Sequence, residues 1–124
     1  WRGQSKDMSS KAIYNDVVTD VISELQERID AALDAGIQSS NLIIDPGLGF
    51  AKDAHHNWEI IDSIAKFVAM GYPVLVGASR KRFLGGDSPD EREQATIELT
   101  KHLATTGVWA VRVHSVKPHK EVLA

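Results

Sequence analysis

The chain has 124 residues, 43% hydrophobic and 25% charged, enough for one folded domain with a core and too few for two. Its formal net charge of −3 argues against a dedicated nucleic-acid binder, and no apolar run approaches the roughly 20 residues that cross a bilayer. The absence of cysteine excludes a disulfide framework, a thiolate metal site and a cysteine nucleophile, and fits a reducing, cytoplasmic setting.

No signal peptide is visible, and the first residue is Trp1 rather than methionine. "WRGQSKDM" reads as the tail of an earlier element, so the chain is expected to be a segment of something longer. Over residues 15–35, Val17, Val18, Val21, Ile22, Leu25, Ile29 and Leu33 recur at gaps of three and four, which predicts an amphipathic helix. Gly36 is placed to end it in a left-handed cap. "NLII" over residues 41–44 then predicts a short strand buried on both faces.

The pattern repeats. Residues 57–71 predict a second helix, with Trp58, Ile61, Ile64 and Val68 on one face and Gly71 as its stop. "PVLV" over residues 73–76 is a second buried strand. A third helix is announced by "SPDE", with Ser88 as N-cap, Pro89 in the first turn and Glu91 placed to close a capping box. It runs through Ile97, Leu99 and Leu103 towards Gly107, and "VWAVRV" is the last strand. Strand starts about 32 to 35 residues apart are βαβ spacing, so the fold class is α/β, with parallel strands and right-handed crossovers.

Parallel strands share one carboxyl edge, where α/β folds bind ligands. Asp45 follows the first strand, "GASRKRF" the second, and Arg112 and His114 end the third. Asp45 suits a ligand with paired N–H groups, such as an amino-pyrimidine edge; alternatively it closes an Asx-turn on its own backbone. Gly47 and Gly49 allow close approach, and Phe50 offers a flat ring a stacking or edge contact.

Gly77 clears the second strand's end and Ser79 can donate, while Lys81 suits a carbonyl or ring-nitrogen acceptor. Arg80 and Arg82 flank it and do not all point one way; the alternative is a solvated basic turn. Arg112 and His114, two apart on one side of a strand, suit a phosphate or diphosphate. Alternatively, Arg112 pairs with Asp45 and His114 caps the sheet.

His55 and His56 are adjacent, point apart and read as surface residues. No grouping has metal-ligand spacing, and neither the phosphate-cradling loop of nucleotide hydrolases nor the G-x-G-x-x-G fingerprint occurs.

With "DPGLGFAK", "GASRKRFLG" and "RVH" in that order, the sequence resembles the dihydropteroate synthases, folate-pathway enzymes on a TIM (β/α)8 barrel. "WRG" looks like the end of that family's fifth strand. The resemblance covers residues 1–124 and implies the C-terminal half of a barrel whose N-terminal half is absent. It implies a transferase that joins 7,8-dihydropterin-6-ylmethyl diphosphate to 4-aminobenzoate, releases diphosphate, and is a sulfonamide target.

By that resemblance Asp45 binds the amino-pyrimidine edge and Lys81 the pterin carbonyl and ring nitrogen. Phe50 and Gly77 line the pterin and aminobenzoate region, while Arg112 and His114 hold the diphosphate, with Lys81 and Arg112 as catalytic groups. The family's Mg2+ ligand would lie in the missing half, and its usual aspartate after the histidine is Ser115 here. The segment alone is expected to be inactive. Open sheet edges predict a homo-oligomer, and the alternative reading is a non-catalytic pterin-binding or interaction fragment.

Overall fold

The structure, a computed structural model, describes residues 14–124; the reading of "WRG" as a strand end lies outside them. Asp16 opens the first helix with an extended backbone and a side chain that accepts from the Val18 and Thr19 amides. That satisfies two donors which a helix start leaves orphaned. α1 spans Val17–Asp34 and buries Val17, Val18, Val21 and Ile29, while Leu33 at its far end stays exposed. Gly36, at φ +95°, makes the left-handed stop after it.

A 310 turn at Ser39–Asn41 leads to Ile44, which pairs with Val74 in a parallel bridge. β1 (Leu75–Val76) and β2 (Ala110–Val111) are parallel, with Leu75 opposite Ala110 and Val76 opposite Val111. The Ile44, Leu75 and Arg112 amides donate to Pro73, Ile44 and Val76 carbonyls, each at 2.9 Å. The three expected strands therefore lie side by side in chain order, joined by ladders shorter than their apolar runs.

"NLII" is not buried on both faces. Ile44 is 4% exposed and Ile43 51%. Side chains alternate along a strand. Ile44, Val74 and Val76 join a core with Ile60, Ile64, Phe67, Leu99 and Leu103, whereas Ile43, Leu75 and Ala110 keep part of their surface open. That second face is the one a closed barrel turns inward.

The second predicted helix is two helices, α2 (Ala54–Asp62) and α3 (Ile64–Val68), because Ser63 departs from helical geometry at φ −109°, ψ 20°. Their buried residues are Asn57, Ile60, Ile61, Ile64 and Phe67. Trp58 is off that face, 39% exposed, with its ring edge-on to Phe83 at 5.4 Å. His56 is more than a surface residue: Asp53 accepts from its amide at 2.9 Å, and its Nδ1 accepts from the Asp53 amide at 3.2 Å. The reciprocal capping box predicted at the third helix forms here instead.

α4 (Pro89–Leu103) does start at Ser88, whose Oγ accepts from the Glu91 amide at 3.2 Å. The Glu91 carboxylate turns to the Asp87 amide, one residue short of a capping box. The buried face of α4 includes Thr96 and Thr100 beside Leu99 and Leu103. A last helix, α5 (Val116–Leu123), packs on α4 and buries His119.

Candidate functional site

Asp45 makes both of the contacts offered above as alternatives to ligand binding, an Asx-turn on its own loop and a pair with Arg112. Its Oδ1 accepts from the Gly47 amide at 2.8 Å, an Asx-turn, and its Oδ2 accepts from Arg112 Nη1 at 3.3 Å. One oxygen shapes the loop while the other faces the neighbouring strand ends.

The loop after Asp45 is pinned from several sides. Buried Asn57 accepts from the Gly49 amide at 2.8 Å and donates to the Asp53 carbonyl at 2.9 Å. Lys52 Nζ donates to the Gly47 and Phe50 carbonyls at 3.0 and 2.8 Å, and the Tyr14 hydroxyl donates to the Ala51 carbonyl at 2.8 Å. Gly49 sits at φ +82°, and a Cβ there would lie 3.0 Å from the Lys81 stem. Both its conformation and its closeness to Lys81 call for glycine.

Lys81 donates from its ammonium to the Leu48 carbonyl and lies 4.2 Å from the centroid of the Phe50 ring. Burial lowers its pKa below the usual lysine value, the Arg112 charge lowers it further, and the Asp45 carboxylate opposes both. Arg112 reaches Asp45 by lying across Gly77: a Cβ on Gly77 would sit 2.2 Å from Nη2 and 2.7 Å from Cζ. The glycine makes room for a guanidinium of the protein itself.

His114 is held by Ser79, whose Oγ is 2.7 Å from Nδ1 and accepts from the His114 amide at 3.1 Å. Gly77, Ser79, Lys81, Arg112 and His114 line one cleft of about 150 Å3. Asp45 joins it through Arg112, and Phe50 through Lys81. Four of the six residues singled out in the sequence thus line this cleft, and the other two reach it only through Arg112 and Lys81. A larger hollow of about 550 Å3 adjoins Lys81 and is lined by Gly49, Lys52, Arg80, Arg82, Phe83 and Arg92.

Arg80 turns away from Lys81, bonding Glu93 and Ser115 at 2.8 Å each. Sequence patterning does not reveal the supporting roles of Asn57, Lys52, Glu93 and His119. A polar Asn57 amid the apolar residues of α2 is the one signal for them. Among the described residues no group of three or more His, Cys, Asp or Glu converges to hold a metal ion. No described helix is long and apolar enough to cross a membrane.

The profile of the family described as pterin-binding enzyme matches residues 1–114. The chain belongs to the pterin-binding enzyme family. Over 133 residues the chain is 43% identical to the dihydropteroate synthase of Mycobacterium leprae (strain TN), covering 99% of itself and 47% of that relative. The Yersinia pestis dihydropteroate synthase, solved with a sulfonamide drug, superposes with a TM-score of 0.93 at 32% identity, covering 98% of this chain and 46% of that one. The Thermus thermophilus enzyme, solved with 4-aminobenzoate, gives 0.88 at 36% identity over 94% and 46%. The chain spans about half the length of the curated relatives it matches. Its parallel βα repeats are thus part of the TIM barrel that these enzymes share.

Proposed function

We propose that residues 1–124 are the C-terminal half of a dihydropteroate synthase, active when the barrel is complete. The proposed reaction condenses 7,8-dihydropterin-6-ylmethyl diphosphate with 4-aminobenzoate to give 7,8-dihydropteroate and diphosphate, in folate biosynthesis. One observation carries this reading. An ammonium (Lys81), a guanidinium (Arg112) and an imidazole (His114), far apart in sequence, line one cleft, and a carboxylate (Asp45) pairs with that guanidinium. The similarity to dihydropteroate synthases agrees with it.

The proposed roles are those that the resemblance to dihydropteroate synthases implies, and the donors and acceptors present agree with them. The Asp45 carboxylate accepts from the paired N–H groups of the pterin's amino-pyrimidine edge. Lys81, whose hold on its proton is weakened by burial and by Arg112, is a strong donor to the pterin carbonyl and ring nitrogen. Phe50 and Gly77 line the ring and aminobenzoate region. Arg112 and His114 face the diphosphate, whose oxygens accept from their N–H groups.

In the reaction the methylene C–O bond breaks and its electron pair leaves with diphosphate, where cationic donors neutralise the growing charge. The arylamine nitrogen bonds to the methylene carbon and releases a proton. The electron-rich pterin stabilises cationic character at that carbon, so no protein nucleophile is required. Positioning and electrostatics supply the rate.

Mg2+ belongs to the same proposal, with its protein ligand in the other half of the barrel. A cytoplasmic location belongs to the same proposal and rests on the cysteine-free sequence. Sulfonamide binding is proposed by similarity to the Yersinia pestis enzyme. Self-association is proposed too, because among the described residues no strand pairs with the outer edge of β2, and Trp109 beside it is 60% exposed. A monodisperse monomer in sedimentation would remove that part.

The deciding experiment has two arms. Calorimetry of the chain with a pterin analogue should show binding that Asp45→Ala abolishes. In the completed barrel, Lys81→Ala should lower formation of radiolabelled dihydropteroate at least ~100-fold. Undiminished turnover in that variant, or heats unchanged by Asp45→Ala, would refute the assignment.

A further inference from the structure

Arg80 stands between two residues of the site: Ser79, which holds His114, and Lys81. It has φ +57°, a left-handed conformation that non-glycine residues seldom adopt. Such a conformation persists where the surroundings over-determine it, and here they do. The Arg80 amide donates to Thr96 Oγ1 at 3.0 Å, and its carbonyl accepts from Arg92 Nε at 2.7 Å. Its own Nε donates to Glu93 Oε2 at 2.8 Å, and its Nη2 to Ser115 Oγ at 2.8 Å.

Glu93 is the hub of this set. Its second oxygen, Oε1, lies 3.1 Å from His119 Nε2, and His119 Nδ1 lies 2.8 Å from Thr100 Oγ1. His119 is 2% exposed and Thr100 3%, so both ring nitrogens are engaged out of water. With Nε2–H donating to the carboxylate, Nδ1 is free to accept from the threonine hydroxyl. Thr100, His119, Glu93, Arg80 and Ser115 thus form one continuous chain of contacts. It ties α4 and α5 to the two loops that carry Lys81 and His114, without touching the cleft itself.

We infer that Glu93 is a positioning residue: it grips Arg80 with one oxygen and His119 with the other, and so fixes the turn that aims Lys81 at the site. The inference rests on the proposed pterin-binding role of Lys81 for its functional meaning. Physically, a left-handed residue reverses the chain between Ser79 and Lys81. Released from Glu93, Arg80 can relax to negative φ, which swings the following peptide and withdraws Lys81 from Phe50, Arg112 and Asp45. A carboxylate that merely glued α4 to α5 would leave Lys81 where it is.

The test reads Lys81 itself, without substrate. In the full chain, the Lys81 side chain is titrated by NMR in the wild type, Glu93→Gln, Arg80→Ala and Arg80→Gly. Wild-type Lys81 should titrate below the ordinary lysine range, and Glu93→Gln should move it back up towards that range as the ammonium returns to water. Arg80→Ala should do the same, whereas Arg80→Gly, which accepts the left-handed turn freely, should stay closer to wild type. Should Glu93→Gln fail to fold, the Arg80 pair gives the same reading.

A Lys81 titration that is the same in all folded variants would overturn the inference, as would Arg80→Gly and Arg80→Ala shifting it equally. A pterin-analogue titration of the wild type separates the two proposals. Failure to bind there counts against the proposed function, while Lys81 moving with Glu93 sustains the positioning role.

Discussion

Arg112 meets the Asp45 carboxylate at 3.3 Å by crossing Gly77 on the strand between them. The three strand ends are thereby linked through one guanidinium, and the middle one contributes only the absence of a side chain. Gly77→Ala should displace that guanidinium, since the new Cβ would lie 2.2 Å from Nη2. The displaced group is the far end of a flexible side chain, so the fold should tolerate it. Affinity for a pterin analogue should fall about tenfold, roughly the worth of one charge-assisted contact, with little change in melting temperature. Calorimetry and a thermal melt on the same sample check both halves.

Asn57 is 2% exposed and holds the Gly49 amide at 2.8 Å. Asn57→Ala removes that acceptor together with the donor to the Asp53 carbonyl, and should cost about 2 kcal/mol of stability. Urea denaturation measures it. Because Gly49 lies against the Lys81 stem, the same variant should also weaken pterin-analogue binding.

Glu93 predicts a pH dependence. Its pKa lies below the usual 4.5, first because Arg80 hydrogen-bonds the carboxylate, with His119 adding to the effect against burial. The folded chain therefore binds this proton more weakly than the unfolded chain does. The resulting stability is fully present above the unfolded value and is lost as pH falls through the lowered folded one. Melting temperatures of wild type and Glu93→Gln should differ most near neutral pH and converge as pH falls below the ordinary glutamate value and through the lowered folded one. A constant gap across that range would show that the carboxylate's charge is not what stabilises the network.

Ser115 begins α5 without a side-chain cap, and its Oγ accepts from Arg80 Nη2 at 2.8 Å. Ser115→Asp would place a negative charge at the helix start and make the Arg80 contact an ion pair. It should stabilise the chain by about 1 kcal/mol, read as a higher melting temperature that salt reduces.

Much of the fold was legible because short-range chemistry dictates it. The apolar spacing of residues 17–33 marks α1, Gly36 its end, and Ser88 the start of α4. The gathering of the candidate residues was legible for a related reason: parallel strands have one carboxyl edge, so Asp45, Lys81 and Arg112 had to collect there whatever their separation along the chain.

Local pattern could not supply what depends on a partner from elsewhere in the chain. Periodicity put Trp58 in the core, but the break at Ser63 and the packing of Asn57 beneath Gly49 set the helix's actual face. Glu93 and His119 look in sequence like a solvated charge and a tail histidine; only the packing of α5 on α4 joins them to Arg80. Residue order sufficed to say which positions are apolar, which can cap, and which polar groups end the strands. That Gly77 yields its space to Arg112, and that Arg80 turns left-handed, emerged only from the packed chain, because each depends on distances between atoms that the chain order does not encode.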